Sequence, residues 1–486
     1  MSSTTESTRP RDPSAPPGPP PAGRSRQGVR ALLVRLHFYA GVFVAPFLFV
    51  AALTGLLYTF TPQIDQFLYG DRLRVETAGE RILPLSEQIE AARSAYPDGT
   101  LASVITPPTA DDTTRVVLSV PELGENQRTV FVDPYTAEVK GDLTTWFGST
   151  PATTWLDDLH RNLHLGELGR LYSEVAASWL WLIVAVGLVL WIGRSRGQRA
   201  GSARGVLLPD RTARGVRRTR GFHAATGVWL ALGLFFLSAT GLTWSHYAGE
   251  RFGQVLVAVQ GHAPALDTRL PDAPSPDEGT ADHEHAEHAG HAGHDRSGDG
   301  EEAGPADFDR ALKTARDAGL GGTVTLTPPA DTATGWVVAQ TDNVWPVHYD
   351  SVTVDTAKGE VTSHVRWSDF PVLAKLSKLG VQGHMGVLFG IVNQIVLALV
   401  AIGLILVTVW GYRMWWQRRP TREDRSAFTG KAPARGTWRQ LPVPVLAVGV
   451  PAVVALGWAL PLLGVTLAAF LAFDIAVGMV RRARVA

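Results

Sequence analysis

Twice in this chain a histidine stands about one turn inside an apolar run, with a glycine four residues on. These are His37 and Gly41 in RLHFYAGVF, and His223 and Gly227 in GFHAATGVW. A second set lies at the opposite ends of apolar runs: His160 and His164 in LHRNLHLGELG, His246 in WSHYAG, and His384 in GHMGVLFG. An ionisable side chain at the edge of hydrocarbon is costly, which makes it a functional candidate. Neutral imidazole ligates haem iron, and the core of a helical bundle is a common place for such a site. The 486 residues include fourteen histidines and no cysteine. Disulfides, iron–sulfur clusters, C-x-x-C redox motifs and covalently tethered c-type haem are thereby excluded, and imidazole is the ligand that remains.

The elements that must position these residues are membrane spans. A span takes about 20 mostly apolar residues. Four runs qualify, Leu36 to Phe60, Val175 to Ile192, Phe222 to Trp244 and Val387 to Tyr412, and a fifth region, Leu441 to Val480, is long enough for a hairpin of two. The expected organisation is a tail over 1–29, spans within 30–60, 174–193, 222–245 and 386–412, a two-span hairpin over 441–480 and a short tail over 481–486. The tail over 1–29 is Pro/Ser/Arg-rich and expected to be disordered. The run after it is too long for a signal peptide and reads as a retained span. Arginine concentrates in 1–29, 194–221, 413–440 and the final RRARVA. Six spans put all four of these segments in the cytoplasm, as the positive-inside rule requires, and leave 61–173 and 246–385 outside. Lys plus Arg equal Asp plus Glu at 45 each, which argues against a nucleic-acid partner.

The chain also repeats. At an offset of 186, His37 falls on His223, Thr54 on Thr240 and Gly55 on Gly241; at an offset of 220, His164 falls on His384 and Gly166 on Gly386. VITPPTADDTTRVVLSV resembles VTLTPPADTATGWVVAQT, and VFVDPYTAEVKGD resembles VTVDTAKGEVTSH. The expected fold is an all-α membrane bundle of four core spans in two repeats plus the hairpin. It carries two small α+β domains on one side, each opening with a helix capped by Ser86 or Asp307. Topology sorts the histidines by depth. His37 and His223 share one face of the membrane, while His160, His164, His246 and His384 share the other. Repeat symmetry pairs His37 with His223 and His164 with His384, and leaves His160 and His246 as second-tier ligands. If the chain is helical there, His160 and His164 share one face of a helix. The glycines fit close helix packing or a flat cofactor.

Those motifs, with TGLL, WGYRMWW and both outside domains, resemble the PepSY-associated transmembrane family over about residues 30 to 418. The resemblance implies an iron-regulated inner-membrane protein. It also implies a haem-dependent ferric-siderophore reductase with b-type haem, and PepSY-like outside domains. Two haems, one near each face, would carry electrons outward to a ferric chelate. No flavin or nicotinamide fingerprint lies on the cytoplasmic side, so the donor is a separate protein, a quinol or a free reduced flavin. Two other readings stand beside this one: a membrane-anchored peptide- or protease-binding module without redox activity, and an accessory protein for metal handling. For the latter, HEHAEHAGHAGHD supplies His283, His285, His288, His291 and His294 as a loose chelator. Trp179, Trp181, Trp244, Trp410, Trp415 and Trp416 are expected as interfacial anchors. Asp157, Asp158, Glu167 and Glu174 read as helix-end acids that could orient ligands. No nucleophile–base arrangement or zincin motif supports hydrolysis, and catalytic residues are not identified.

Overall fold

The computed structural model describes residues 22–197, 207–273, 304–418 and 443–483. The histidine-rich tract, the tail over 1–21 and most of the 413–440 loop lie outside the described residues. Among the described residues three helices are long and apolar enough to cross a membrane: α6 (Gly166–Gly197), α7 (Gly215–Leu242) and α11 (Ile391–Gln417). A fourth span is formed if the bent pair α1 (Ala22–Phe43) and α2 (Ala45–Tyr58) is one crossing.

That pair is bent by 55°, where an unbroken run was expected. Pro46 is the cause. It has no amide proton, and its ring presses on the carbonyl four residues back, which is that of Val42. The Tyr412 hydroxyl donates to this freed carbonyl at 2.8 Å. The equivalent position in the second repeat is Leu232, and α7 runs straight through it.

The expected hairpin is two helices, α12 (Val443–Ala459) of 17 residues and α13 (Pro461–Ala483) of 23. The two helices cross at Gly457 and Gly464, so closely that a Cβ on Gly464 would lie 2.8 Å from the Gly457 Cα. α13 completes the bundle core beside α6. Leu463 and Leu467 are buried, and Thr466 accepts from the Trp179 indole at 2.8 Å. Trp179 is thus a core residue and not an interfacial anchor.

The two outside domains were expected to be separate. They form instead one eight-stranded antiparallel sheet of order β4-β3-β2-β1-β5-β6-β7-β8. The strands are β1 (Thr100–Ile105), β2 (Thr114–Ser119), β3 (Gln127–Val132), β4 (Val139–Thr145), β5 (Val324–Thr327), β6 (Trp336–Gln340), β7 (Ser351–Asp355) and β8 (Glu360–Val365). The halves join where β1 pairs β5, Val104 opposite Leu326. Each half would otherwise expose a strand edge, and pairing with its repeat mate removes both. Alternate residues of the strands, among them Val104, Val116, Val130, Leu326, Val338 and Val352, are fully buried. They share one core with Ile89 and Ala92 of α4 (Leu85–Ala95) and Phe308 and Ala311 of α9 (Pro305–Asp317).

A carboxylate also crosses the seam. Asp309 of α9 accepts from the Leu85 and Ser86 amides at 2.6 and 3.3 Å, so the first turn of α4 is capped by the other repeat. Ser86 itself lies inside α4, and Asp307 sits at the third position of α9, accepting from the Gly304 amide. Asp309→Ala is expected to destabilise the sheet by about 1–2 kcal/mol, the value of a charged cap. The thermal midpoint of the full-length protein checks this. An unchanged midpoint would mean the seam does not depend on the cap.

Short helices join sheet and bundle. α3 (Thr61–Leu73) and α5 (Pro151–Asn162) meet at Asp65, which accepts from the Thr150 and Thr153 hydroxyls at 2.6 and 2.9 Å. In the second half, α8 (His246–Ala258) follows α7, and α10 (Val372–Met385) precedes α11. Buried Glu174 of α6 accepts from the Tyr247 and Ala248 amides at 3.0 and 2.9 Å. It is the cap of α8 rather than a solvated acid.

Candidate functional site

At the bundle end remote from the sheet, His37 of α1 faces His223 of α7, ring centres 6.2 Å apart and planes at 81°. His37 Nδ1 is 3.1 Å from the Ile183 carbonyl of α6, and His223 Nδ1 is 3.0 Å from the Val407 carbonyl of α11. A carbonyl only accepts, so each Nδ1 carries the proton and each Nε2 keeps its lone pair. Gly187 and Gly411, each four residues after its carbonyl, lie against the two rings. A Cβ there would stand 3.2 Å from His37 Cε1 and 3.8 Å from His223 Cε1.

At the sheet end a second pair forms, between His160 of α5 and His384 of α10, ring centres 6.4 Å apart. The Thr54 hydroxyl donates to the Val50 carbonyl at 2.9 Å and lies 2.9 Å from His160 Nδ1. The Thr240 hydroxyl donates to the Phe236 carbonyl at 2.8 Å and lies 2.7 Å from His384 Nδ1. A hydroxyl has one proton, already given to its own helix in both cases. Each threonine therefore accepts from Nδ1–H, and Nε2 is again left as the open donor atom. Gly55 and Gly241 follow these threonines. A Cβ on either would come within 2.9 Å of His160 Cε1 or 3.3 Å of His384 Cε1. Tyr58 adds a wall, its ring stacked 6.5 Å from that of His160.

His164, which the 220-residue alignment sets beside His384, is elsewhere. α5 ends at Asn162, and Leu163 and His164 both take left-handed backbone angles, φ 55° and 54°. The helical continuation that would put His160 and His164 on one face does not exist. His164 is exposed and lies against Trp155, ring centres 4.9 Å apart. His246 is also outside both pairs, at the first turn of α8 against Tyr247. By contacts, His160 is the repeat mate of His384, at an offset of 224. The same offset relates Ile183 to Val407 and Gly187 to Gly411.

Asp157 and Asp158 are engaged by Arg161, and Glu167 by Arg170. Farther along the sheet-end surface, burial and the nearby Asp342 carboxylate push the Tyr349 phenol up to about 12, so it stays neutral. Among the described residues no three His, Asp or Glu side chains cluster as a metal site. The supports absent from the sequence analysis are Gly187, Gly411 and two backbone carbonyls. Thr54 and Thr240 were visible there only as repeat mates, and the glycines beside them as fitting close helix packing or a flat cofactor.

The geometry fits a haem at each level. A metal-to-imidazole-nitrogen bond is about 2.0 Å and the ring centre lies about 1.1 Å behind the nitrogen, so two imidazoles sharing one iron would have centres about 6.2 Å apart. The observed 6.2 and 6.4 Å agree. The glycine cradles, which a Cβ would fill, and the protonated Nδ1 atoms are the supports such ligands need. The two levels are separated along α7 by the residues from His223 to Thr240, about 25 Å of helix axis.

Fold and site thus define a multi-pass membrane protein with a sheet domain at one end of a bundle that holds two histidine pairs. The family model described as the PepSY-associated TM region matches residues 34–418, most of the chain, and the protein belongs to that family. No curated protein matches the chain.

Proposed function

We propose that the protein is a dihaem b-type electron carrier of the cytoplasmic membrane. It reduces ferric chelates, siderophore-bound iron in particular, on the sheet side for iron uptake. The observation that supports this best is the pair of depth-separated histidine couples, each spaced for one iron and each with Nδ1 occupied. Bound haem supplies reversible one-electron chemistry. The protein's own residues do the rest. His37 with His223, and His160 with His384, donate through Nε2. The Ile183 and Val407 carbonyls and the Thr54 and Thr240 hydroxyls hold each tautomer and make the free nitrogen more basic. The apolar bundle keeps water from both levels.

The arginines described at the remote end, among them Arg211, Arg214, Arg217 and Arg413, support a cytoplasmic placement of that end by the positive-inside rule, with the sheet outside. On this reading the hairpin is the fifth and sixth span, both termini are cytoplasmic, and the two sheet halves are PepSY-like modules. Reduction to Fe(II) weakens binding by hard oxygen donors and frees the metal. The electron donor on the cytoplasmic side is a quinol, a protein or a reduced flavin.

Purified full-length protein from haem-replete cells is expected to show a Soret band and about two b-type haems per chain, all extractable by acid acetone because no cysteine tethers them. Protein without a Soret band would end the redox reading.

A further inference from the structure

A cavity of about 550 Å³ opens at the remote end of the bundle, between the start of α7 and the end of α11. Arg214, Arg218 and Arg413 bring three cations to it, Phe222 and Trp410 form aromatic walls, and Thr219 lies in its lining. Phe222 and Trp410 contact each other, ring centres 5.6 Å apart, and the Arg218 guanidinium lies 5.9 Å over the Phe222 ring. Among the described residues no carboxylate pairs with these arginines. The nearest acid in the chain, Asp210, is turned onto Thr212, accepting from its amide and hydroxyl at 2.9 and 2.6 Å. Thr219 is buried, its hydroxyl 3.3 Å from Gln417 Oε1.

The place of this cavity matters as much as its charge. Phe222 is the chain neighbour of His223, and Trp410 is the chain neighbour of Gly411, which cradles the His223 ring. Phe222 therefore immediately precedes a histidine of the inner pair, and Trp410 immediately precedes the glycine against that histidine's ring. Three cations with no carboxylate partner among the described residues suit a doubly charged phosphate, with arginine presenting forked donors to its oxygens. Flat aromatic walls suit a planar ring, which aromatic and guanidinium faces stack upon.

We propose that this cavity is the electron-entry site, and that its ligand is a phosphomonoester carried on a planar redox-active ring, a reduced flavin mononucleotide. The inference rests on the dihaem reading and names the donor that reading leaves open. One reduced flavin loses two electrons and two protons to become oxidised flavin. The protons pass to water on the arginine side, and two ferric chelates outside take one electron each. Phosphate contacts hold the ligand, and the aromatic walls set the ring beside His223.

The test uses full-length protein in nanodiscs of zwitterionic lipid, titrated with oxidised flavin mononucleotide and followed by flavin fluorescence. Saturable binding is expected, roughly tenfold or more tighter than for riboflavin, which lacks the phosphate, and competed by inorganic phosphate. Arg218→Gln with Arg413→Gln should lose roughly the same factor for the mononucleotide and little for riboflavin. Both arginines are exposed, so the variant tests charge and not packing. Equal affinity for the two flavins, or no effect of the arginines, overturns the proposal. So does a third outcome, read in a parallel set of nanodiscs doped with a minor fraction of phosphatidylglycerol, in which the wild type retains more of that lipid than the variant while neither binds flavin; the cavity would then hold a lipid headgroup. The Soret band and its response to dithionite, recorded on the same samples, report on the dihaem reading separately.

Discussion

His160→Ala is expected to lower haem content from about two per chain to about one, and His384→Ala to remove the same haem. His164→Ala should remove neither. The reason is geometric. His160 and His384 face each other at 6.4 Å between ring centres, and each is held through Nδ1 by a threonine on a different helix of the bundle. With one of the two imidazoles removed, a single histidine would remain at that level to hold the group. His164 lies exposed beyond a left-handed turn, against Trp155. The double variant His160→Ala with His384→Ala should add little to either single change, because partners acting as one unit are not additive. Haem content and reduced-minus-oxidised spectra in matched membranes measure this. A haem lost in His164→Ala but kept in His160→Ala would show that the 220-residue register, and not the 224-residue one, describes the outer site.

That difference of one helical turn marks the limit of what the sequence displayed. The histidines were legible because buried imidazole is costly in hydrocarbon, and their duplication was legible because the 186-residue offset matched His, Thr and Gly together. His37 and His223 needed nothing more. At the other end, HRNLH offers two histidines four residues apart, and a match of HLG with HMG favoured the wrong one. What decides between them is where α5 stops. The left-handed angles at Leu163 and His164, neither of them glycine, leave no strong mark in a single sequence. The fused sheet escaped for a similar reason. Strand content is local, whereas the β1–β5 pairing joins residues 104 and 326 across a whole span and loop. The bend at Pro46 was available to the sequence reading, since proline inside an apolar run breaks a helix, yet span length alone gives it no weight. Thr54 and Thr240 were seen and undervalued. A threonine whose hydroxyl bonds its own helix still accepts one more bond, and that acceptor orients the rings of His160 and His384.

The inner pair should separate electron entry from electron exit. His37→Ala and His223→Ala are each expected to lose the same one of about two haems and to keep the outer one, because the two levels share no ligand and stand about 25 Å apart along α7. The structural cost should be small. Each ring rests against a glycine, Gly187 or Gly411, so its removal empties space in the bundle without stranding a charge; only the Ile183 or Val407 carbonyl loses a partner. That carbonyl keeps the i+4 amide of its own helix, so the loss is one additional hydrogen bond, about 0.5–1.5 kcal/mol, beside the cost of the space the ring leaves. In oriented vesicles these variants should fail to reduce an outside ferric chelate when the reductant is supplied on the arginine side. Their remaining haem should still respond to dithionite added on the sheet side. Outer-pair variants should give the converse, an inner haem that is reduced from the arginine side and is not reoxidised by the chelate. Crossing the pairs, His37→Ala with His384→Ala, should leave no haem at all. If that crossed variant retained one, a single remaining histidine or a residue outside the two pairs would be holding it. Such a result would refute the assignment of one haem to each histidine couple.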